Sequence, residues 1–217
     1  MSTLNIFNEK NHMVTFATLG PAGSNHEMVT HQYLSMLALR DWSIELANNF
    51  DIAVTLLKEK KVDFLIQCAA HPDVARILGA NQGELFVIDT FIAPGKPLGV
   101  LSRIEVTNPR SIAFHPATRS YVDLSRWEQK IEAQSTVAVA NGLLSNRYDS
   151  GITALEVADK YPNRFRIDAV IEAIDDAWLV YGRSRVCHKN GMIAWQDSPG
   201  ANMIREKAAQ EMLTVDE

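Results

Sequence analysis

Three stretches carry side chains able to hold an anion or move a proton. In Gly20-Pro21-Ala22-Gly23-Ser24, followed by His26 and Glu27, a glycine-rich turn runs into a segment with helical spacing. Such a turn leaves backbone N–H groups unpaired at the positive end of a helix, which suits a carboxylate, and the Ser24 hydroxyl adds a polar group. The alternative is a plain cap: Ser24 with Glu27 three residues on makes a capping box, and His26 and Glu27 sit in the first helical turn. In His115-Pro116, with Arg119 four residues on, one helix start would present an imidazole and a guanidinium together, Arg being the natural bidentate partner of a carboxylate. There the alternative is a capping His and an Arg on a solvated face. His71 follows a strand-like run and either donates a proton, binds substrate or lies exposed in a loop. Cys68 reads as a small buried strand residue, with no partnering base to make it a nucleophile. Asp175 and Asp176 either orient a His, repel an anion or sit in a solvated loop, and Trp178 is either core or a ligand platform.

These residues need elements to position them. Met13–Leu19 is a short apolar, β-branched run ending at Gly20-Pro21, as a buried parallel strand would. A helix over His26–Leu39, a strand over Ser43–Ala47, a helix over Phe50–Lys60 and a strand over Val62–Cys68 follow. Leu85–Ala93 and Leu98–Ser102 read as extended segments around Pro94-Gly95-Lys96-Pro97. The pattern then repeats: strand Ser111–Phe114, helix Ala117–Glu128, strand Ala133–Ser135, helix Thr136–Leu144, strand Ser150–Ile152, helix Thr153–Lys160. The expectation is an α/β protein with mostly parallel sheets and helices on both faces. Residues 13–92 plus 165–183 would form one lobe and 93–164 a second, with Phe165–Ile171 returning the chain to the first. Residues 1–12 form a flexible tail, and 184–217 an extension with a helix over Asn202–Met212. Ligands in open α/β sheets bind outside the carboxyl ends of strands, where Gly20, Cys68–His71 and His115 all fall.

Composition narrows the partners. The 217 residues are 47% hydrophobic and 22% charged, close to an ordinary water-soluble globular chain. A net charge of −5 with no long basic run argues against nucleic acid. No stretch approaches the ~18 apolar residues of a bilayer span, and Met1–His12 lacks the basic start and apolar run of a secretory signal. Cys68 and Cys187 stand far apart with no CxxC pair, which suggests neither a disulfide framework nor a cysteine zinc site and fits a cytoplasmic location.

Read in order, the signposts resemble the prephenate dehydratase catalytic domain, a two-lobed fold similar to type II periplasmic binding proteins. Leu19-Gly20-Pro21-Ala22-Gly23-Ser24 stands where that family opens with Leu-Gly-Pro-x-Gly-Thr, and Glu27 matches a common acidic position. Phe114-His115-Pro116 looks like its Ser-His-Pro signature, Ser135-Thr136-Val137-Ala138 like its Ser-Thr-Ala helix start, and Gly151-Ile152-Thr153 like its Ala-Ile segment. The resemblance covers roughly Val14 to Arg183. Two departures bear on chemistry. Ala69-Ala70-His71 replaces Glu-Asn-Ser, and the Thr-Arg-Phe motif, whose Thr assists loss of hydroxide, is replaced near Ala177-Trp178-Leu179. The closer likeness is to the non-aromatising prephenate decarboxylases of bacilysin-type pathways, which also lack Thr-Arg-Phe. Like this chain they carry a Trp followed by an aromatic-Gly-basic group, here Trp178 and Tyr181-Gly182-Arg183; they have no ACT domain, and none is expected here.

What this resemblance implies is a cofactor-independent, metal-free lyase acting on prephenate or a related cyclohexadiene carboxylate, most simply a decarboxylase. A non-catalytic binding protein for a small aromatic acid and a dehydratase with displaced catalytic groups are the alternatives. Decarboxylation needs the carboxylate bound, electrons accepted by the ring and a proton delivered. Candidates for catalysis are His115, His71 and Glu27. Candidates for substrate binding are Gly20, Gly23, Ser24, His26, Arg119, Thr136, Thr153 and Trp178. The extension is expected to cover the cleft or to pack against a second subunit in a homodimer.

Overall fold

A computed structural model describes residues 13–186, Trp195 and residues 198–213, the last seven as helical backbone alone. The tail 1–12 and Cys187 lie outside the described residues. The strands are β1 (Val14–Leu19), β2 (Trp42–Ala47), β3 (Phe64–Cys68), β4 (Phe86–Pro94), β5 (Leu98–Arg103), β6 (Ser111–Phe114), β7 (Gln129–Glu132), β8 (Ser150–Ala154), β9 (Phe165–Ile171) and β10 (Asp175–Gly182). The helices are α1 (Asn25–Met36), α2 (Phe50–Lys58), α3 (Val74–Ala80), α4 (Thr136–Leu144), α5 (Glu156–Lys160) and α6 (Pro199–Leu213).

Two five-stranded sheets result, ordered β2-β1-β3-β10-β4 and β7-β6-β8-β5-β9. β1 runs parallel to β2 and β3, while β10 pairs antiparallel with both β3 and β4, so one strand opposes four. The second sheet repeats this, with β6 parallel to β7 and β8 and β5 antiparallel to β8 and β9. Both sheets are therefore mixed, with parallel strands in the majority. The opposing strand is in each case the one that crosses from, or back to, the other lobe.

Alternation along the strands explains why both faces are covered. Phe16, Ile66, Trp178 and Val180 pack on one face of the first sheet, against Val29, Tyr33 and Leu34 of α1. Their neighbours Ala17, Leu65 and Tyr181 face the other way, into Phe50, Ala53, Val54 and Leu57 of α2 and Ile77 of α3. In the second sheet Val100, Ile112, Phe114 and Ile152 meet Leu124 and Trp127, whereas Leu101 and Ala113 meet Val139 and Leu143 of α4. Strands buried on both faces read as continuous apolar runs, which is how they look in the sequence.

Several boundaries differ from those the sequence suggests, each for an identifiable reason. Phe165–Ile171 does not return to the first lobe: β9 pairs along its length with β5, from Leu98↔Ile171 to Arg103↔Phe165. The second lobe thus runs to residue 171, and only β10 returns. The helix expected over Ala117–Glu128 is a single 3-10 turn, Pro116–Thr118, followed by turns. There the Asp123 carboxylate accepts from the Ser125 N–H at 2.9 Å and from its hydroxyl at 2.8 Å, a local bond that competes with helix. Buried Trp127 is anchored by its Nε1–H to Ser150 Oγ at 3.1 Å. The short strand expected at Ala133–Ser135 lies instead at Gln129–Glu132, and Ser135 caps α4. Thr153 belongs to β8 rather than to a helix, and Val74–Ala80 forms a helix that the apolar pattern does not single out.

The described residues from Val186 onward belong to a second compact unit, in which α6 exposes Met203 and Ile204. Among the described residues no helix is long and apolar enough to cross a membrane.

Candidate active site

The cleft forms where the two crossovers between lobes run side by side. One is Gly95–Pro97, between β4 and β5; the other is residues 172–174, between β9 and β10. They are tied together by the Gly95 N–H donating to Ile174 O at 2.9 Å. Above them lies an open concavity lined from both lobes.

Each lobe contributes a helix N-terminus. On the first lobe the chain leaves β1 through a cis Gly20-Pro21 bond and Gly23, whose φ of +82° suits glycine, and enters α1 at Asn25. Ser24 is buried and its hydroxyl is fully used, donating to Leu19 O at 2.9 Å and accepting from the Glu27 N–H at 3.1 Å. On the second lobe Ser135 caps α4, its Oγ accepting from the Ala138 N–H at 3.0 Å. Ser24, Asn25 and His26 from α1 and Gln134, Ser135 and Thr136 from α4 all line the same cleft. The first N–H groups of a helix have no partner within it, so two partial positive ends converge here.

Between them lie three imidazoles. His26 and His71 have ring centroids 6.0 Å apart, and His71 and His115 are again 6.0 Å apart. His26 also packs edge-on against Trp178 at 5.1 Å and lies 5.5 Å from Phe50. Burial, reinforced by His71 and His115, lowers its pKa to about 3. His71 is lowered mainly by burial, which outweighs the pull of Asp73, and His115 by burial and by His71. All three are therefore neutral at pH 7. Backbone contacts assign the tautomers: His26 Nε2 accepts from the Cys68 N–H at 3.3 Å, so its proton is on Nδ1. His71 Nδ1 accepts from the Asp73 N–H at 3.2 Å and His115 Nδ1 from the Ala117 N–H at 3.3 Å, leaving an Nε2–H donor on each.

Gly20, Ser24, His26, His71, His115 and Thr136, all singled out in the sequence, are thus brought together. Five others stand apart from the cleft lining. Glu27 turns back to accept from the Gly23 N–H at 2.5 Å, so both belong to the cap. Arg119 is exposed, its guanidinium 5.5 Å above the Phe114 ring; without a helix after Pro116 it has no shared face with His115. Thr153 is buried and donates to Thr136 O at 2.7 Å, holding the start of α4 from behind. Trp178 is fully buried and supports His26 as core.

The cleft also holds Asn25, Lys96, Tyr121, Gln134 and Glu172, which the sequence did not bring forward, and Asp176, which it read as orienting a His, repelling an anion or lying in a solvated loop. Lys96 sits in the first crossover; its Nζ donates to Gly23 O at 3.0 Å and pairs with Glu156 at 2.7 Å, and its N–H donates to Asn25 Oδ1 at 3.0 Å. Asp176 shared a signal with Trp178: two residues apart on a strand they lie on one face, and Trp178 packs against His26. Among the described residues no group of three His, Cys, Asp or Glu side chains is arranged to hold a metal ion.

No protein-family model and no curated protein matches the chain. Solved structures do. The prephenate dehydratase of Arthrobacter aurescens, solved with L-Phe, is similar at a TM-score of 0.60 and 20% identity, over 88% of this chain and 69% of that one. A quorum-quenching acylase matches at a TM-score of 0.53 and 13% identity, over 80% and 65% of the two chains. An ABC transporter protein of Parabacteroides distasonis matches at 0.51 and 13%, over 78% and 66%. At these identities the likeness shows the fold: the chain has the two-lobed, periplasmic-binding-protein-like α/β architecture that the prephenate dehydratase also has.

Proposed function

We propose that the cleft binds a cyclic carboxylate of the prephenate class and decarboxylates it without a cofactor. The observation that carries this reading is the pair of helix N-termini, α1 and α4, opening on one space from opposite lobes. Each suits one carboxylate, so the pair suits a dicarboxylate that bridges the lobes. The Nε2–H groups of His71 and His115 supply neutral donors beside them, and Leu19, Leu98 and Ile174 give the ring an apolar surface. A decarboxylase needs no hydroxyl donor for a leaving hydroxide, in keeping with the absence of a Thr-Arg-Phe motif.

One feature favours a second reading, a binding protein for a small aromatic acid. Lys96, which among the described residues is the Lys or Arg lining the cleft, is already held by Glu156 and Gly23 O, so among them no unpaired Lys or Arg awaits a ligand there. Incubation of the purified protein with prephenate at neutral pH, with spontaneous aromatisation subtracted, separates the possibilities. Release of CO2 with a non-aromatic keto acid is the expected outcome. CO2 with phenylpyruvate would make the protein a dehydratase, and ligand-dependent thermal stabilisation without product would make it a binder.

A further inference from the structure

The wall of the cleft carries a carboxyl that anion binding leaves unused. Asp176, on β10, lines the cavity together with Cys68 and Tyr121. Facing it are the Cys68 thiol from β3, the Tyr121 phenol from the turns after Pro116–Thr118, and Asp175 on its own strand. Among the described residues no Lys, Arg or His is recorded as paired with it. Burial holds its pKa above the usual carboxylate range; the thiol contact opposes this and Asp175 adds to it. A bound anion acts in the same direction as burial, because ionising the carboxyl would set a second negative charge beside the first.

We propose that Asp176 is the proton donor of the decarboxylation, an assignment that rests on the lyase reading above. The bond between the ring carbon and its carboxylate carbon breaks, CO2 leaves, and the bonding pair moves into the ring diene. A new C–H bond forms at the ring carbon that receives the pair, using the proton of the Asp176 carboxyl. Asp176 is left as a carboxylate and regains a proton from water through the open mouth of the cleft. Charge balances, one carboxylate being consumed and one formed, and no oxidant or reductant is needed. The neighbouring groups are poorer donors. A neutral imidazole N–H is a far weaker acid than a carboxyl, the Cys68 thiol is pushed up to about 11 by burial, and burial likewise raises the Tyr121 phenol. His71 and His115 then act as hydrogen-bond donors that position the substrate, rather than as acids.

The test compares wild type, Asp176→Asn and Asp176→Glu on prephenate, reading CO2 release, product, KM and the dependence of kcat on pH. Asp176→Asn is expected to lower kcat by about 10²- to 10⁴-fold with little change in KM, Asp176→Glu to restore part of the loss. In the wild type kcat falls as pH rises through the pKa of Asp176 in the complex, and this limb disappears in Asp176→Asn. Retention of ligand-dependent thermal stabilisation shows that the variant is folded and binds. Two outcomes overturn the assignment while leaving the lyase reading intact: an Asp176→Asn enzyme whose kcat and pH profile match wild type, or one in which only KM rises. Absence of CO2 release from the wild type overturns the lyase reading and the assignment together.

Discussion

Three imidazoles in a row, His71 lying 6.0 Å from both His26 and His115, cannot all be charged in a half-buried cleft, and burial keeps each neutral. This has a consequence for stability. His26 has a folded pKa of about 3 against an ordinary 6.5. Above pH 6.5 both the folded and unfolded forms are neutral there and the group is silent. As pH falls from 6.5 towards 3 the unfolded chain takes up a proton that the folded one refuses, so stability is lost across that window. Thermal melts between about pH 4 and 7 are expected to show Tm falling with acidification in wild type, and falling less steeply in His26→Asn. Equal slopes would place the His26 proton elsewhere. The residues most legible in the sequence were those whose chemistry is local. Ser24 could be recognised because a cap is a matter of three or four residues. Asp176 could be named beside Trp178 but not placed in the cleft, because that placement depends on Cys68 and Tyr121, 108 and 55 positions away in the chain.

At the scale of elements, the proposed function rests on where α1 and α4 begin. Both starts are fixed from several sides: Ser24 by Leu19 O, Asn25 by the Lys96 N–H, and Thr136 by the hydroxyl of Thr153 on β8. Gly151 on β8 lies beneath α4, and a Cβ there would meet Val139 Cγ1 at 2.4 Å, so the helix sits as close to its strand as a glycine permits. Ser135→Ala removes the oxygen that accepts the Ala138 N–H. It is expected to cost roughly 0.5–2 kcal/mol of stability, read as a lower Tm, and to weaken binding of a dicarboxylate severalfold. Unchanged affinity would mean that the α4 terminus does not hold the ligand. The α4 boundaries read from the sequence, Thr136–Leu144, are those observed, since Ser135 starts the helix and Leu143 and Val139 give it a buried stripe. The segment 117–128 misled because Tyr121, Val122, Leu124 and Trp127 have helical spacing, whereas Asp123 and Trp127 find partners that bend the chain instead. Spacing records which residues are buried, not the path between them.

For the molecule as a whole, the repeated order of the two sheets was legible as a repeated β-α pattern, and two lobes with a cleft followed from it. The assignment of Phe165–Ile171 failed because antiparallel pairing with β5 depends on register across 62 or more positions and leaves no local mark. Lys96 shows the same dependence at the crossover, where one side chain joins Gly23 of the first lobe to Glu156 of the second. A ligand held between two such lobes must contact both, and an anion beside the Asp176 carboxyl raises its proton affinity. The most direct measurement is a calorimetric titration with the tetrahydro analogue of prephenate, which keeps both carboxylates but has no ring diene to accept electrons. The proposed function predicts one bound ligand per chain, with protons taken up on binding and affinity rising as pH is lowered from about 8 to about 6. No binding across that range, or binding with no proton uptake and no change with pH, would contradict the proposal that the cleft is a dicarboxylate site.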